Sequence, residues 1–392
     1  MLLKHEEQMQ DAYRWAEPLR PRIKRAPRPL RVLSPCCGLN GPGRAIDALE
    51  VPWASAGDYD VSFFLYKYLS QWIPFSSIGC GRVAGDVLDI PLDHLALDID
   101  ALISGPPCPP FSCIGKKLVE LDTRSHVFFT VMLWVLHLAE HGALSFFVLE
   151  NVAGIMFKRK GAETNFGQWV LSEFRSCLPR GWEVDAIRLN SINCGLPQNR
   201  DRVFFVGTSP SLRAAPYERR VLREAAPLIP QPPLLSFLDA TRCDTDYEQL
   251  THLQKRNVDR HLQNYLQLLS SQPGLPQLAI IDCERQPDNP SNHFDTKVAV
   301  GFVRTLRTKS ASVWVLAAPS LHGVFGDRGR RLTREEKIRC CGFEPSWLSA
   351  LSDSEAMHAI GNAIPPPLAG HVLFPLVRAW AYTAVEAEAS VP

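Results

Sequence analysis

The segment Ala101–Lys117, ALISGPPCPPFSCIGKK, contains an apolar run, a sharp stop and a cysteine. The run through Ile103 is typical of a buried strand, and the Gly-Pro-Pro that follows Ser104 ends it abruptly. Cys108 is thereby predicted on a stiff loop just beyond the carboxyl end of a strand, where open α/β sheets hold their ligands. A buried structural cysteine is the alternative interpretation, because most free thiols in proteins are buried.

Length and composition limit the class of protein. A chain of 392 residues is long enough for one large α/β domain and a smaller one, and an apolar fraction of 46% supports a packed core. Lysine and arginine number 42 against 41 acidic residues, a net charge of +1, so the overall charge indicates no partner. Any nucleic-acid binding must come from local patches.

The eleven cysteines include two adjacent pairs and no Cys-x-x-Cys, so zinc-ribbon spacing is absent. We see no secretory signal peptide and expect reduced thiols in a cell interior. The longest apolar stretch, Val131–Leu138, is too short for a membrane span.

A glycine-rich turn follows the first predicted strand, Leu30–Pro35. Residues 37–43 read CGLNGPG and precede a predicted helix, Arg44–Glu50. A strand, a glycine turn and a helix start in this order allow a nucleotide-like ligand to approach the backbone closely. An ordinary tight turn is the alternative interpretation.

The second predicted strand, Trp53–Gly57, ends in Asp58, Tyr59 and Asp60. An acid at this position commonly binds the hydroxyls of an adenosine ribose, and Tyr59 would offer a stacking surface to the adenine. No second glycine fingerprint and no phosphate-binding lysine loop follow, so the pattern does not favour a dinucleotide. A solvated loop acid is the alternative.

Another apolar strand, Ser145–Val152, ends in Glu150 and Asn151 and is predicted to be central, parallel and covered on both faces. Because its carboxyl end would share a sheet edge with Cys108, Glu150 is predicted beside the thiol. A helix N-cap or a solvent-facing strand end is the alternative.

Val184–Leu189 and Arg202–Gly207 are predicted as a hairpin-like pair of strands. The connecting segment ends in Gln198-Asn-Arg200-Asp-Arg202, and strand alternation would place both arginines on one face. Two guanidinium groups there favour a phosphate and a base carbonyl oxygen. A solvated strand face is the alternative.

These motifs together resemble the cytosine-C5 DNA methyltransferases. The residues that carry the resemblance are Pro107-Cys108-Pro-Pro-Phe-Ser112 for the nucleophile loop, Glu150-Asn-Val, Gln198-x-Arg-x-Arg202, the glycine turn, Gly85-Asp86-Val87, and Gly361-Asn362-Ala363-Ile364-Pro-Pro366. Against the family's first motif, Asp-x-Phe-x-Gly-x-Gly-Gly, Ser34 stands for the aspartate, Cys36 for the phenylalanine and Asn40 for a glycine. Pro109 stands for the usual glutamine of the nucleophile loop.

The resemblance implies an α/β fold, a doubly wound Rossmann-like methyltransferase sheet with a smaller inserted target-recognition domain. We expect a catalytic domain over residues 30–208 and 330–392 and a target-recognition domain over 209–329. Residues 1–29 are expected to be a basic, polar tail that is mobile, with solvated charges; a DNA-backbone contact is the alternative. Within 209–329, Val303–Ser312 is predicted to be either a basic strand or loop facing nucleic acid or an ordinary surface segment. Thr333 and Glu336 form the capping box of a helix.

The resemblance also implies the roles of the site residues. Cys108 would attack carbon 6 of cytosine as a thiolate, Glu150 would bind the N3 and amino edge, and Arg202 would hold the carbonyl oxygen at C2. Arg200 would brace the loop or a phosphate. S-adenosylmethionine would be bound, without a metal, by residues from the glycine turn, the next strand ends, the nucleophile loop and the last motif: Cys36, Gly38, Leu39, Asn40, Gly41, Asp58, Tyr59, Asp86, Val87, Pro107, Asn362 and Ala363.

We expect double-stranded DNA as the partner of a monomeric chain without membrane contact, in the nucleus if the source is eukaryotic and otherwise in the cytoplasm. The target cytosine must leave the duplex stack, because carbon 6 is hidden inside it. One alternative is an RNA (tRNA) cytosine-C5 methyltransferase, although the Cys-Phe-Thr signature of that branch is absent between Thr208 and Gly329. Another is a catalytically silent nucleic-acid-binding relative.

Overall fold

The computed structural model describes residues 14–23, 26–62, 64–65, 85–107, 124–158, 164–212, 228–239, 246–287, 298–308 and 312–389. The chain divides into two compact units. The first comprises residues 1–190, 201–229 and 363–392, and the second comprises 191–200 and 230–362. The boundaries between these units differ from the predicted domain boundaries at 209 and 329. The predicted boundaries concern function and stay predictions.

The first unit is built on a six-stranded sheet with the spatial order β2-β1-β3-β4-β7-β5. The strands are β1 (Leu30–Pro35), β2 (Trp53–Tyr59), β3 (Ala101–Ser104), β4 (Phe146–Val152), β5 (Glu183–Asn190) and β7 (Asp201–Thr208). The first four pair in parallel, and β7 pairs antiparallel with both β4 and β5. The predicted α/β class is confirmed, with an antiparallel edge on a mostly parallel sheet.

Burial explains the apolar strands. The core lies under β3 and β4 and includes Leu102, Phe147, Leu149 and Trp134, all fully buried. A strand covered on both faces has no solvent-facing side to keep polar, so its sequence loses the alternation of an edge strand. This is why β1 and β4 could be located from apolar runs alone.

Helices pack beside this sheet. They are α1 (Gly41–Ala48), α2 (Arg124–His141), α3 (Phe166–Cys177) and, after the second unit, α8 (Pro366–Ala389). α1 begins three residues before the prediction, because the Asn40 side chain accepts a hydrogen bond from the Gly43 amide and caps the helix. β2 likewise continues to Tyr59, so Asp58 belongs to the strand and not to a loop.

The prediction of a mobile, solvated N-terminal tail is wrong for the described residues 14–23 and 26–29. Trp15 is buried and stacks on His371 of α8, with a ring-centroid distance of 6.0 Å. Arg28 forms two hydrogen bonds of 2.6 Å to the buried carboxylate of Asp100 and lies over the Trp380 ring. The basic residues of this segment have specific partners that lie far away in the sequence.

The second unit contains a four-stranded sheet with the order β12-β11-β8-β9. Its strands are β8 (Leu278–Asp282), β9 (Ala299–Val300), β11 (Val313–Ala317) and β12 (Arg330–Arg331), and a separate two-stranded parallel pair joins β6 (Gln198–Asn199) to β10 (Val303–Arg304). Its helices are α4 (His252–Ser271), α5 (His322–Phe325), α6 (Arg334–Cys340) and α7 (Asp353–Asn362). The predicted capping box of Thr333 and Glu336 is confirmed at the start of α6. Within the described ranges, no helix is long and apolar enough to cross a membrane.

Candidate active site

Cys108 and the loop that follows it lie outside the described residues, but the approach to the loop is described. β3 ends at Ser104, and Gly105 lies against the end of β4: a Cβ atom at Gly105 would be 3.6 Å from Glu150 Oε2. The Asn151 side-chain amide donates a 3.4 Å hydrogen bond to the carbonyl oxygen of Pro106. Pro107, the last residue described before the thiol, is half-buried. The segment that leads to Cys108 therefore starts beside the Glu150 carboxylate.

Glu150 and Arg202 form a buried ion pair at this sheet edge. Arg202 Nε lies 2.6 Å from Glu150 Oε1, and the exposed fractions of the two side chains are 10% and 5%. Arg202 pairs with Val152 in the antiparallel register of β4 and β7. Glu150, two residues before Val152, is consequently the diagonal neighbour of Arg202 on the same face. The sheet register itself holds these two groups together.

Arg200 has a different environment, within the second unit. The strand alternation assumed in the prediction does not hold here, because the chain turns at Asn199: the Arg200 amide donates to the Gln198 carbonyl oxygen. The Arg200 guanidinium, 2% exposed, donates from Nη1 and Nη2 to the carbonyl oxygen of Gly361, both at 3.1 Å, and from Nη1 to that of Leu306 at 3.4 Å. These three hydrogen bonds are all made to backbone oxygens.

The glycine turn between β1 and α1 leaves open space on one side. Gly38 has a φ of +54°, and a Cβ atom there would meet nothing within 4 Å among the described residues. Cys36 and Asn40 also have positive φ values, which cost a residue with a side chain about 1 kcal/mol or more. Leu39 and Gly41 are buried beneath the turn. Burial, together with the carboxylates of Asp58 and Asp60, raises the pKa of the Cys37 thiol well above its ordinary value, so this thiol stays protonated.

Asp58 does not face open space, although it was predicted to bind a ribose. It is 1% exposed, its Oδ1 accepts a hydrogen bond of 3.3 Å from Asn40 Nδ2, and its Oδ2 accepts one from the Ser55 hydroxyl. Ser34, its register partner on β1, also hydrogen-bonds to it. Burial raises the pKa of Asp58 to about 6, against the lowering effect of the two serines.

Asp60, two residues further along, is only half-buried and lies at the turn. Its Oδ2 accepts from the Gly38 amide at 3.0 Å and its Oδ1 from the Ser62 amide at 2.8 Å. Tyr59, between the two acids, is buried with its ring edge-on to Trp134 at 5.6 Å. The turn therefore fits a nucleoside ligand better at Gly38 and Asp60 than at Asp58. Gly38 and Asp60 border the open space, whereas Asp58 is buried.

The remaining predicted cofactor residues are distributed between the two units. Asp86 is half-buried and caps a short 3-10 helix by accepting from the Leu88 amide, and Val87 is buried. Asn362, in the second unit, is exposed with its amide 3.1 Å from His358 Nε2, and Ala363, in the first unit, is buried. No group of three or more histidine, cysteine or acidic side chains in the described part of the chain is arranged to hold a metal ion.

Three contacts were missed from the sequence. Asn151 was predicted only as part of a motif, but its side-chain amide bonds to Pro106, at the start of the segment that leads to Cys108. Asp60 was visible in the Asp-Tyr-Asp triplet, where its position beyond the strand end was the available signal. Leu306 gave no signal, because it contributes a backbone oxygen to Arg200.

A family model described as C-5 cytosine-specific DNA methylase matches residues 48–377, which begins just after the glycine turn. Type II methyltransferase M.DdeI of Desulfomicrobium norvegicum is 30% identical over 143 residues, 36% of this chain and 32% of that protein. Orphan methyltransferase M.SPRI of Bacillus phage SPR is 35% identical over 178 residues, 45% of this chain and 37% of the relative. The aligned parts therefore span about a third of these relatives.

Solved structures agree on the fold. A DNMT2 mutant of Spodoptera frugiperda superposes with a TM-score of 0.57 at 14% identity, covering 88% of this chain and 99% of that one. A putative DNA modification methyltransferase encoded within an E. coli prophage gives a TM-score of 0.54 at 17% identity, covering 88% and 98%. At such identities the likeness concerns the fold alone.

Proposed function

Because the chain belongs to the C-5 cytosine-specific DNA methylase family, we propose that it is a DNA (cytosine-5-)-methyltransferase acting on a flipped-out cytosine through a covalent adduct with Cys108. The observation that carries the proposal is the buried Glu150–Arg202 pair, which lies at the sheet edge where the loop to Cys108 begins. A carboxylate and a guanidinium held side by side match the donor and acceptor pattern of the pyrimidine edge.

The target carbon explains the residue types. Carbon 5 of cytosine is a poor nucleophile, and a thiolate that bonds to carbon 6 moves the electron pair of the C5–C6 double bond onto carbon 5. Carbon 5 would then form a bond to the methyl group while the bond from that methyl group to the sulfonium sulfur of its donor breaks, which leaves the donor as a neutral thioether. Removal of the proton from carbon 5 restores the double bond and expels the Cys108 thiolate, so the enzyme is regenerated without a net redox change.

Glu150 and Arg202 support this step by stabilising charge on the ring. Glu150 would accept a hydrogen bond from the exocyclic amino group and would share a proton with N3 as the ring gains it, and Arg202 would donate to the carbonyl oxygen at C2. Their ion pair keeps both side chains fixed before substrate binds, so little reorganisation is needed during the reaction. The Asn151 bond to Pro106 supports the loop from which the thiolate acts.

S-adenosylmethionine, when bound, would supply the methyl group on its sulfonium. The open face of the turn at Gly38 and the half-buried carboxylates of Asp60 and Asp86 are the groups that would hold its adenosine part. Asp58, Asn40 and Ser34 would support the turn from within. Double-stranded DNA is the proposed substrate, with the cytosine rotated out of the stack.

The test is incubation of the protein with labelled S-adenosylmethionine and a mixture of DNA and RNA. We expect label in DNA, and none with Cys108→Ala; Cys113→Ala, in the same loop, is the matched control that should retain transfer. Duplexes containing 5-fluorocytosine, in which carbon 5 carries no proton to lose, should trap the wild-type protein in a complex that resists denaturation. The same duplexes should trap no complex with Cys108→Ala. Transfer to RNA only would identify an RNA methyltransferase, and label without trapping would exclude the covalent adduct.

A further inference from the structure

The segment 303–308 of the second unit is fixed at several points along its length. Val303 and Arg304 pair in parallel with β6, and the Thr305 hydroxyl donates a 2.6 Å hydrogen bond to the Asn199 carbonyl oxygen. Arg200 donates to the Leu306 carbonyl oxygen. At the far end of the segment, the backbone of Thr308 packs against Gly361. A Cβ atom added at Gly361 would lie 2.5 Å from the Thr308 nitrogen.

Arg200 therefore joins two stretches of backbone. The same guanidinium bonds to Leu306 in the segment and to Gly361 at the end of α7. These partners lie 106 and 161 residues away in the sequence, and the contact reinforces the packing of the segment against Gly361. The planar fork of an arginine can serve two carbonyl oxygens at once, whereas a lysine has a single nitrogen.

The side chains of the segment separate by burial. Val303 and Leu306 are buried, which leaves Arg304 half-buried and Arg307 exposed. Guanidinium groups are suited to phosphate oxygens, and a backbone that is already ordered loses less entropy on binding. This arrangement favours the basic segment over the ordinary surface segment that the sequence left open.

We propose that segment 303–308 is a DNA-phosphate contact, made by Arg304 and Arg307, and that Arg200 is a positioning residue that holds the segment and does not itself touch phosphate. The proposal rests on the proposed function for its choice of polyanion. It changes the expectation for Arg200, which from the sequence alone was equally suited to a phosphate.

The test is the salt dependence of binding to a short DNA duplex, measured by fluorescence anisotropy without methyl donor. Each lost phosphate contact should lower the slope of log affinity against log salt concentration by about 0.9. We expect this from Arg304→Gln and from Arg307→Gln, with about twice the effect in the double variant. Arg256→Gln and Arg260→Gln, exposed positions on α4, are matched charge controls that should leave the slope unchanged.

Arg200→Met and Arg200→Lys should weaken binding at every salt concentration, by about tenfold for the methionine, with the wild-type slope retained. Thr305→Val, which removes a fixing bond without removing charge, should behave in the same way. Circular dichroism and thermal unfolding verify that each variant is folded. If Arg200→Met lowers the slope as Arg307→Gln does, or if the α4 controls lower it equally, the proposal is wrong.

Failure of this proposal is distinguishable from failure of the proposed function. A wild-type protein that binds duplex with the expected slopes but transfers no methyl group would refute the methyltransferase and leave the contact intact. If the wild type methylates DNA but Arg304→Gln and Arg307→Gln keep the wild-type slope of affinity against salt concentration, only the phosphate contact is refuted.

Discussion

The buried carboxyl group of Asp58 should make the stability of this protein depend on pH. Burial raises its pKa from the ordinary 3.8 to about 6 in the folded protein. A shift of about two units corresponds to about 3 kcal/mol at roughly 1.4 kcal/mol per unit. Because the folded pKa is the higher one, the associated stability is fully present below pH 3.8 and is lost as the pH rises through about 6.

Asp58→Asn isolates this contribution, because the side chain keeps its shape and cannot ionise. The free energy of unfolding, measured by urea titration between pH 4 and pH 7, should fall with rising pH more steeply for the wild type. The difference between the two proteins should change by about 2 kcal/mol across that range in favour of the variant, because part of the full shift lies below pH 4. We predict this change with pH and not the absolute free energy of unfolding of Asp58→Asn, since the new amide also alters the bonds to Asn40 and Ser55.

Ser55→Ala gives a second, independent reading of the same group. The Ser55 hydroxyl donates to Asp58 and lowers its pKa, so its removal should move the pH dependence to values above 6. Parallel stability profiles for the wild type and Asp58→Asn, or a shift to lower pH in Ser55→Ala, would refute the burial of an ionisable acid at this position.

Two further predictions concern the cofactor turn and the amino-terminal segment. Asn40→Ala should lower the free energy of unfolding by about 1–2 kcal/mol, because it removes the α1 cap and a donor to the buried Asp58 while keeping a side chain at a positive φ; Asn40→Gly, which adopts that φ freely, should lose less, and equal urea midpoints in all three proteins would contradict this reasoning. Trp15→Ala should lower the free energy of unfolding by about 3–5 kcal/mol, because the indole fills the space over Gly370 of α8; an unchanged urea midpoint would show that the segment adds no stability.

Local signals predicted the sheet well because its strands are decided locally. β1 has the predicted bounds, and β4 lies within the predicted run, since each is a short apolar stretch ended by polar or turn residues. The pairing of Glu150 with Arg202 follows from the same order of strands. Because β4 and β7 are antiparallel, the end of β4 lies beside the start of β7, and the side chains there meet.

Long-range partners account for what the sequence did not predict. The basic residues near the amino terminus were expected to be solvated, because such runs are common and prolines scatter their charges; Arg28 instead pairs with Asp100, 72 residues away. Alternation placed Arg200 beside Arg202, and it failed because a turn at Asn199 gives Arg200 partners more than a hundred residues further on. Such contacts depend on topology, which residue type and spacing do not encode.

Two departures from the family's first motif, Ser34 and Asn40, share a contact with Asp58. Ser34, where the family has an aspartate, is the register partner of Asp58 and bonds to it, so an acid at both positions would bring two buried carboxylates together. Asn40, where the family has a glycine, donates to the same carboxyl group and caps α1. Each replacement therefore satisfies a buried Asp58. Asp58 is therefore an internal brace of the turn, and Asp60 is the carboxylate at the open face of Gly38.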